Sequence, residues 1–132
     1  MITAKLNNYR QSPRKVRLIA NLVKGKKVED ALDILNFAGK RASLPLKTLI
    51  ESAIANAKNN FNLEKENLFV KEFRVDGGAI LYRRMPRARG TAYPIRKRTS
   101  HVCVELEPRE VKKKDKVKFK KAENTKKETG KN

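Results

Sequence analysis

The residues that most often carry catalysis are sparse in this chain. His101 is its one histidine and Cys103 its one cysteine, so a nucleophilic pair would have to use these two. They stand two residues apart on one face of an expected strand, with no obvious carboxylate partner, and we expect them to pack or hydrogen-bond at a sheet. Zinc needs about four nitrogen or sulfur ligands, and this pair supplies two. The sequence therefore predicts no catalytic residue, no metal and no cofactor.

Two other groups of residues resemble parts of functional sites, but neither forms one. Residues 25–27 (Gly-Lys-Lys) superficially resemble the end of a phosphate-binding loop, but position 20 is not glycine and no Ser or Thr follows the lysines. Glu29, Asp30 and Asp33 are most simply the first turn and solvated face of a helix. An enzyme is therefore the function class with the least support.

What the sequence offers instead is positive charge. Its 132 residues include 33 Lys and Arg against 14 Asp and Glu, a net charge of +19. Seven basic and no acidic residues lie between Arg83 and Arg98, and 11 basic and four acidic residues lie between Pro108 and Asn132. The remaining 15 basic and 10 acidic residues carry only +5. Such an excess in a small protein indicates a polyanionic partner, and nucleic acid is the first candidate.

Length and composition exclude several protein classes. The chain has room for one compact domain, and no apolar run reaches the roughly 18 residues of a membrane span. A single cysteine cannot form an internal disulfide, which is typical of a reducing compartment. We expect a cytoplasmic protein that has no secretory signal and no membrane span. We also expect that it does not form homo-oligomers.

Three helices are expected over about 13–24, 28–38 and 40–60. The first begins at Pro13, with the Ser12 side chain as its cap, and ends before Gly25. Each has apolar residues at helical spacing. These are Val16, Leu18, Ile19, Ala20, Leu22 and Val23 in the first helix, Ala31, Leu32 and Leu35 in the second, and Leu46, Leu49, Ile50, Ala53, Ile54 and Ala57 in the third.

Strands are expected over 3–8, 68–75, 79–84 and 98–106, with a bulge at 76–78 and a turn at Gly90. The predicted fold class is α+β: three helices packed on a small antiparallel sheet, with a long protruding β-hairpin and a basic C-terminal tail. We expect a single domain over 1–107, the hairpin over about 78–101, and the tail over 108–132.

The hairpin needs a partner from outside the chain. Its arms, of about ten residues each, would extend about 30 Å and hold too few apolar residues to bury either face. Arginine dominates its charge and forks onto phosphates, while Tyr82 and Tyr93 could stack on unpaired bases. The alternatives are a solvated charged face and a cross-strand tyrosine pair. The tail is either a solubilising extension or an arm ordered by a polyanion.

Several stretches resemble the bacterial family of large-subunit ribosomal protein twenty-two. These stretches are residues 12–27, 31–35, 49–57, 84–90 and 96–101, of which Arg-Met-Pro-Arg-Ala-Arg-Gly at 84–90 and Arg-Lys-Arg-Thr-Ser-His at 96–101 are the most specific. The resemblance covers about residues 3–107. It implies a structural protein that binds 23S rRNA, supports its assembly, and lines the nascent-peptide exit tunnel with its hairpin near the macrolide site. It implies ribosomal protein four and the passing nascent peptide as further partners.

The resemblance also assigns residues. The implied RNA contacts are Arg14, Lys15, Arg17, Lys26, Lys27, Arg83, Arg84, Arg87, Arg89, Arg96, Lys97 and Arg98. The implied tunnel-lining tip comprises Met85, Pro86, Arg87, Ala88, Arg89, Gly90 and Thr91.

Two rival functions stay open on composition alone. A DNA-compacting protein would need a repeated or dimeric basic surface. A membrane-active cationic protein would need an amphipathic apolar face, which the basic segments lack.

Overall fold

A computed structural model of the chain describes residues 2–109. The predicted tail therefore lies almost entirely outside the described residues. The elements in chain order are β1 (Ile2–Tyr9), α1 (Pro13–Val23), α2 (Val28–Phe37), α3 (Ser43–Phe61), β2 (Leu68–Pro86) and β3 (Ala92–Pro108). Three helices and one antiparallel sheet confirm the predicted α+β class.

The helices begin and end close to the predicted residues, with two corrections. Ser12 precedes α1 as expected, but its side chain makes no capping hydrogen bond; its carbonyl oxygen instead accepts from the backbone N–H of Lys15 and Val16. The third helix begins at Ser43 rather than Lys40, because residues 40–42 form a turn in which the Ser43 N–H donates to the Lys40 carbonyl at 2.9 Å. Pro45 consequently lies in the first turn, where a missing N–H removes no helical bond.

The sheet has the order β1-β3-β2, so the last strand is central and pairs antiparallel with both neighbours. Helix α3 packs mainly on β1, α1 packs mainly on β2, and α2 joins the two helices. In β3, Val102, Val104 and Leu106 are buried towards the helices. His101, Cys103 and Glu105 alternate with them and are partly exposed, as the sequence predicts.

Bulges explain where the strand pattern in the sequence is irregular. In β2 the buried positions change phase between Val70 and Phe73, and the pairing register shifts there, between Val70 and Glu72. One extra residue moves every later side chain to the other face, so the bulge keeps both halves of β2 apolar towards the core. A second shift lies between Gly77 and Ile80, at the predicted bend.

On α1 and α3, fewer residues are buried in the core than the sequence predicts. Leu18 and Leu22 are 67% and 50% exposed, so the prediction that they widen the buried stripe of α1 is wrong. The neighbours of α1 cover the side that carries Val16 and Ile19, and nothing within residues 2–109 covers its outer flank. In α3, Ile50 is fully buried, whereas Ile54 only packs against the edge of the core. None of the helices in the described part of the chain is long and apolar enough to span a membrane.

Candidate nucleic-acid interface

The pairing between β1 and β3 ends at Tyr9 and Ser100. From there towards the hairpin tip, β2 and β3 continue as a two-stranded ribbon. The strands pair from Ile80 and Arg98 to Pro86 and Ala92. Every residue of the distal hairpin, which we define as residues 81–98, is exposed. All seven charged side chains in it are basic. Within residues 2–109, ion pairs lie on α3 and lower on the sheet, and none includes a cation of the distal hairpin.

The pairing register divides the distal hairpin into two chemically different faces, because directly paired residues share a face. One face is mixed and carries Leu81, Met85, Tyr93 and Ile95 with Arg83 and Lys97. The other face is more strongly cationic and carries Tyr82, Arg84, Arg96 and Arg98. Tyr82 and Tyr93 therefore lie on opposite faces and are not a cross-strand pair, which removes one of the alternative readings.

The hairpin tip is a tight turn with an unusual backbone. The Arg87 N–H donates to the Thr91 carbonyl at 2.9 Å, and the Thr91 hydroxyl donates to the Ala88 carbonyl at 2.9 Å. Arg89 and Gly90 both have left-handed backbone angles, with φ of 59° and 71°. Glycine adopts this region freely, whereas arginine does so at a cost of about 1–2 kcal/mol. The turn exposes the side chains of Arg87 and Arg89 at the end of the ribbon.

Hydrogen bonds join the two hairpin arms at their base and fasten that base to the body. The Thr99 hydroxyl donates to the Ala79 carbonyl at 2.6 Å, and the Ser100 hydroxyl donates to the Gln11 carbonyl. The Asn8 N–H donates to Nδ1 of His101 at 3.3 Å. Thr99 and Ser100 are buried although they are polar, so these bonds satisfy groups that would otherwise be costly to bury.

An open cleft of about 640 Å³ lies between the base of the hairpin and the body. We call it the hairpin-base cleft. Its walls come from the β1–α1 junction, the start of α1, the turn before α3 and both hairpin arms. It is lined by Arg10, Gln11, Ser12, Lys15, Arg41, Leu81, Arg83, Arg96, Lys97, Arg98 and Thr99.

The cleft brings together some of the predicted RNA contacts and not others. Five of them line it: Lys15, Arg83, Arg96, Lys97 and Arg98. Arg84 lies further along the ribbon, Arg87 and Arg89 lie at the tip, and Arg14, Arg17, Lys26 and Lys27 are body residues outside the cleft lining. The predicted set is therefore spread over the ribbon, its base and the body.

Arg17 has a structural partner. Its Nε and Nη2 donate to the carbonyl oxygen of Val75 at 3.0 and 2.8 Å, which satisfies an acceptor on the outer edge of β2. Lys26 and Lys27 lie beside the same edge. The Val70 N–H donates to the Lys26 carbonyl, and Lys27 forms an isolated antiparallel β-bridge with Phe69 through the backbone. Their backbones protect the edge of the sheet while their side chains stay exposed.

Sequence reasoning missed two cleft residues, Arg10 and Arg41. Both lie in connecting segments, Arg10 before α1 and Arg41 directly after Lys40 before α3. Neither lies in the two strongly basic segments that the sequence singles out, and the fold brings both beside the hairpin. Among residues 2–109, no group of three or more His, Cys, Asp or Glu side chains is placed to hold a metal ion.

Comparison with known proteins identifies the family of the chain. A model of the family described as ribosomal protein L22p/L17e matches residues 4–107. The chain is 58% identical over 106 residues to the large ribosomal subunit protein uL22 of Christiangramia forsetii, covering 78% of each chain. It is 47% identical over 108 residues to the protein of that name from Caldicellulosiruptor saccharolyticus, covering 82% of this chain and 88% of the relative. The chain therefore belongs to the ribosomal protein L22p/L17e family.

Proposed function

We propose that the chain binds 23S rRNA through its hairpin and the adjoining basic surface, supports the assembly of that RNA, and lines the nascent-peptide exit tunnel with the hairpin tip. As a member of its family it is a structural constituent of the large ribosomal subunit in the bacterial cytoplasm, and it is not an enzyme. The finer assignments, to 23S rRNA and to the tunnel, are the proposal.

The observation that carries the RNA assignment is the distal hairpin. It is exposed on both faces and holds seven cations without an acid. A two-stranded ribbon of this kind is only marginally stable by itself in water, so a polyanion that contacts both arms supplies the missing stabilisation. Arginine-rich faces suit RNA because the guanidinium forks onto phosphates and stacks on bases.

The tunnel assignment rests on the tip and on the family. A narrow turn at the end of a long ribbon can reach past the RNA that holds the arms. Met85 to Thr91 would then face the nascent peptide, with ribosomal protein four across the tunnel as the neighbouring protein.

Salt dependence tests the RNA assignment. If about six to ten phosphates are neutralised, affinity for a 23S rRNA transcript falls roughly 10³–10⁵-fold between 50 and 200 mM salt. Replacing Arg84 and Arg98 by Gln flattens the slope of log affinity against log salt by roughly one unit per lost contact. The control replaces Lys58 and Lys65, which are exposed on the body, by Gln. An affinity that does not change with salt would contradict the proposal.

Deleting residues 82–84 tests the tunnel assignment. The deletion shortens the β2 arm by an odd number of residues, so the side chains beyond it change face and the tip moves. Ribosomes should still assemble because the body is unchanged, while sensitivity to macrolides and to stalling peptides changes. If subunit profiles instead show that assembly fails, and residual ribosomes respond normally, the hairpin is an RNA anchor only.

A further inference from the structure

The hairpin-base cleft has the character of a binding site in its own right. We propose that it binds the sugar–phosphate backbone of one RNA strand, and that Arg10 and Arg41 are RNA contacts within it. The inference rests on the proposed RNA-binding function and deepens it. It adds a site on the folded body, distinct from the contacts of the tip, and two residues that the sequence does not single out.

Charge is the first argument. Seven of the eleven residues that line the cleft are Lys or Arg, and none is acidic. The four ribbon cations are divided between the two ribbon faces, so those of one face meet the body cations Arg10, Lys15 and Arg41 across the cleft. These like charges repel each other, and a concave wall of low dielectric constant concentrates their field. A bound anion relieves that repulsion. The anion must be extended, because the cations come from the body on one side and from both hairpin arms on the other.

The second argument is that the walls are hydrogen-bonded to each other. The Tyr9 hydroxyl donates to Oε1 of Gln11 at 2.7 Å and lies 3.4 Å from the Arg41 carbonyl oxygen. The Gln11 carbonyl in turn accepts from the hydroxyl of Ser100, which is fully buried. One chain of bonds therefore connects the turn before α3, the β1–α1 junction and the base of β3. The wall that the body contributes and the base of β3 are therefore in place before any ligand arrives.

Tyr9 is suited to this positioning role. Burial raises the pKa of its hydroxyl above the usual value, although the charge of Arg41 opposes the shift. The hydroxyl thus stays protonated and remains a donor. The hydroxyl lies near the backbone carbonyl of Arg41, and none of the ion pairs within residues 2–109 includes the Arg41 guanidinium, which can therefore serve a ligand.

The start of α1 adds polar donors to the same wall. Ser12 lines the cleft, and its hydroxyl makes no capping hydrogen bond. The positive end of the α1 dipole lies beside it, which favours an anion there. Five of the seven cations are arginines, whose planar fork matches a phosphate with two parallel hydrogen bonds. Carboxylates accept from the same donors, so the choice of a phosphate backbone over an acidic protein segment rests on the proposed RNA-binding function, and the test below separates the two.

The test compares two double variants of the full chain that lose the same charge. Arg10→Gln with Arg41→Gln removes two cations from the cleft, and Lys58→Gln with Lys65→Gln removes two from elsewhere on the body. For a 23S rRNA transcript, the cleft variant should bind at least about tenfold more weakly. Its salt slope should flatten by about two units. The control variant should match the unmodified chain, and circular dichroism should show both variants folded.

Two further measurements distinguish direct RNA contact by cleft residues from a purely structural role of those residues. Lys15 and Lys97 should become protected from acetylation in the RNA complex, while Lys58 stays reactive. Tyr9→Phe keeps every charge but loses the bond to Gln11. It should weaken binding about two- to tenfold without changing the salt slope.

The outcomes are distinguishable. If the cleft variant behaves like the control while Arg84→Gln with Arg87→Gln, both outside the cleft, weakens binding, the cleft proposal is wrong and the proposed function stands. If polyglutamate displaces the transcript from the unmodified chain but not from the cleft variant, the cleft recognises acidic segments and the phosphate assignment falls. If the unmodified chain does not bind the transcript, the proposed function fails first.

Discussion

Gly78 gives the sharpest stability prediction, because a methyl group has no room there. A Cβ added to Gly78 would lie 2.5 Å from Oγ1 of Thr99 and 2.9 Å from Nε2 of His101. Both distances are shorter than a van der Waals contact, so Gly78→Ala must displace one of the two side chains. Gly78 lies in the β2 bulge, where the hairpin leaves the body.

The cost in stability follows from the hydrogen bonds that the Thr99 and His101 side chains make. Thr99 is 5% exposed and donates to the Ala79 carbonyl at 2.6 Å, and His101 accepts from the Asn8 N–H. Moving either breaks a hydrogen bond, worth about 0.5–1.5 kcal/mol, and adds overpacking of about 1–3 kcal/mol if the neighbours resist. We therefore expect Gly78→Ala to lower the free energy of unfolding by about 1.5–4.5 kcal/mol, the two contributions together.

Gly77 is the matched control. No atom lies within 4 Å of a Cβ built on it, and its backbone is not left-handed. Gly77→Ala should change stability by roughly 0.5 kcal/mol or less, or stabilise slightly through the unfolded chain. Urea denaturation of the full chain, followed by circular dichroism, measures both variants.

A double variant tests the mechanism. Thr99→Ala removes the nearest obstructing atom, so the combination Gly78→Ala with Thr99→Ala should destabilise less than the sum of the single changes. If Gly78→Ala is no worse than Gly77→Ala, or if the two changes simply add, the crowding argument at the base of the hairpin is refuted.

Three other predictions follow from burial and bonding. In the free protein, amide hydrogen exchange should be slow at Val16 and Ile50 and fast over 87–94, because the distal hairpin packs on nothing else; strong protection at the tip would contradict this. Arg17→Gln should cost about 1–3 kcal/mol in urea denaturation even without RNA, because a β2 carbonyl loses its charged donor; no change would mean that water replaces the guanidinium. Leu18→Ser should be nearly neutral in Tm since that side chain is 67% exposed, whereas Ile50→Asp should prevent folding; equal effects would refute the burial pattern.

Local patterns in the sequence determined most of the secondary structure. The three helices follow from apolar residues at helical spacing between Pro13, Gly25 and Gly39, and β3 follows from strict alternation at 102–106. The bulge at 76–78 follows from two adjacent glycines. These features depend on backbone preference and periodicity, which neighbouring residues in the chain decide among themselves.

Only the tertiary structure decided how much of each helix is covered and which distant residues meet. Periodicity shows which residues share a face of α1, but its neighbours determine that Val16 is buried and Leu18 is not. The same holds for Arg17, which the family resemblance assigns to RNA and whose guanidinium donates to a strand carbonyl 58 residues away. Arg10 and Arg41 reach one cleft because β1, α3 and the hairpin pack together. The free energy of such contacts depends on distances that the packing of the whole domain sets, and no local pattern records them.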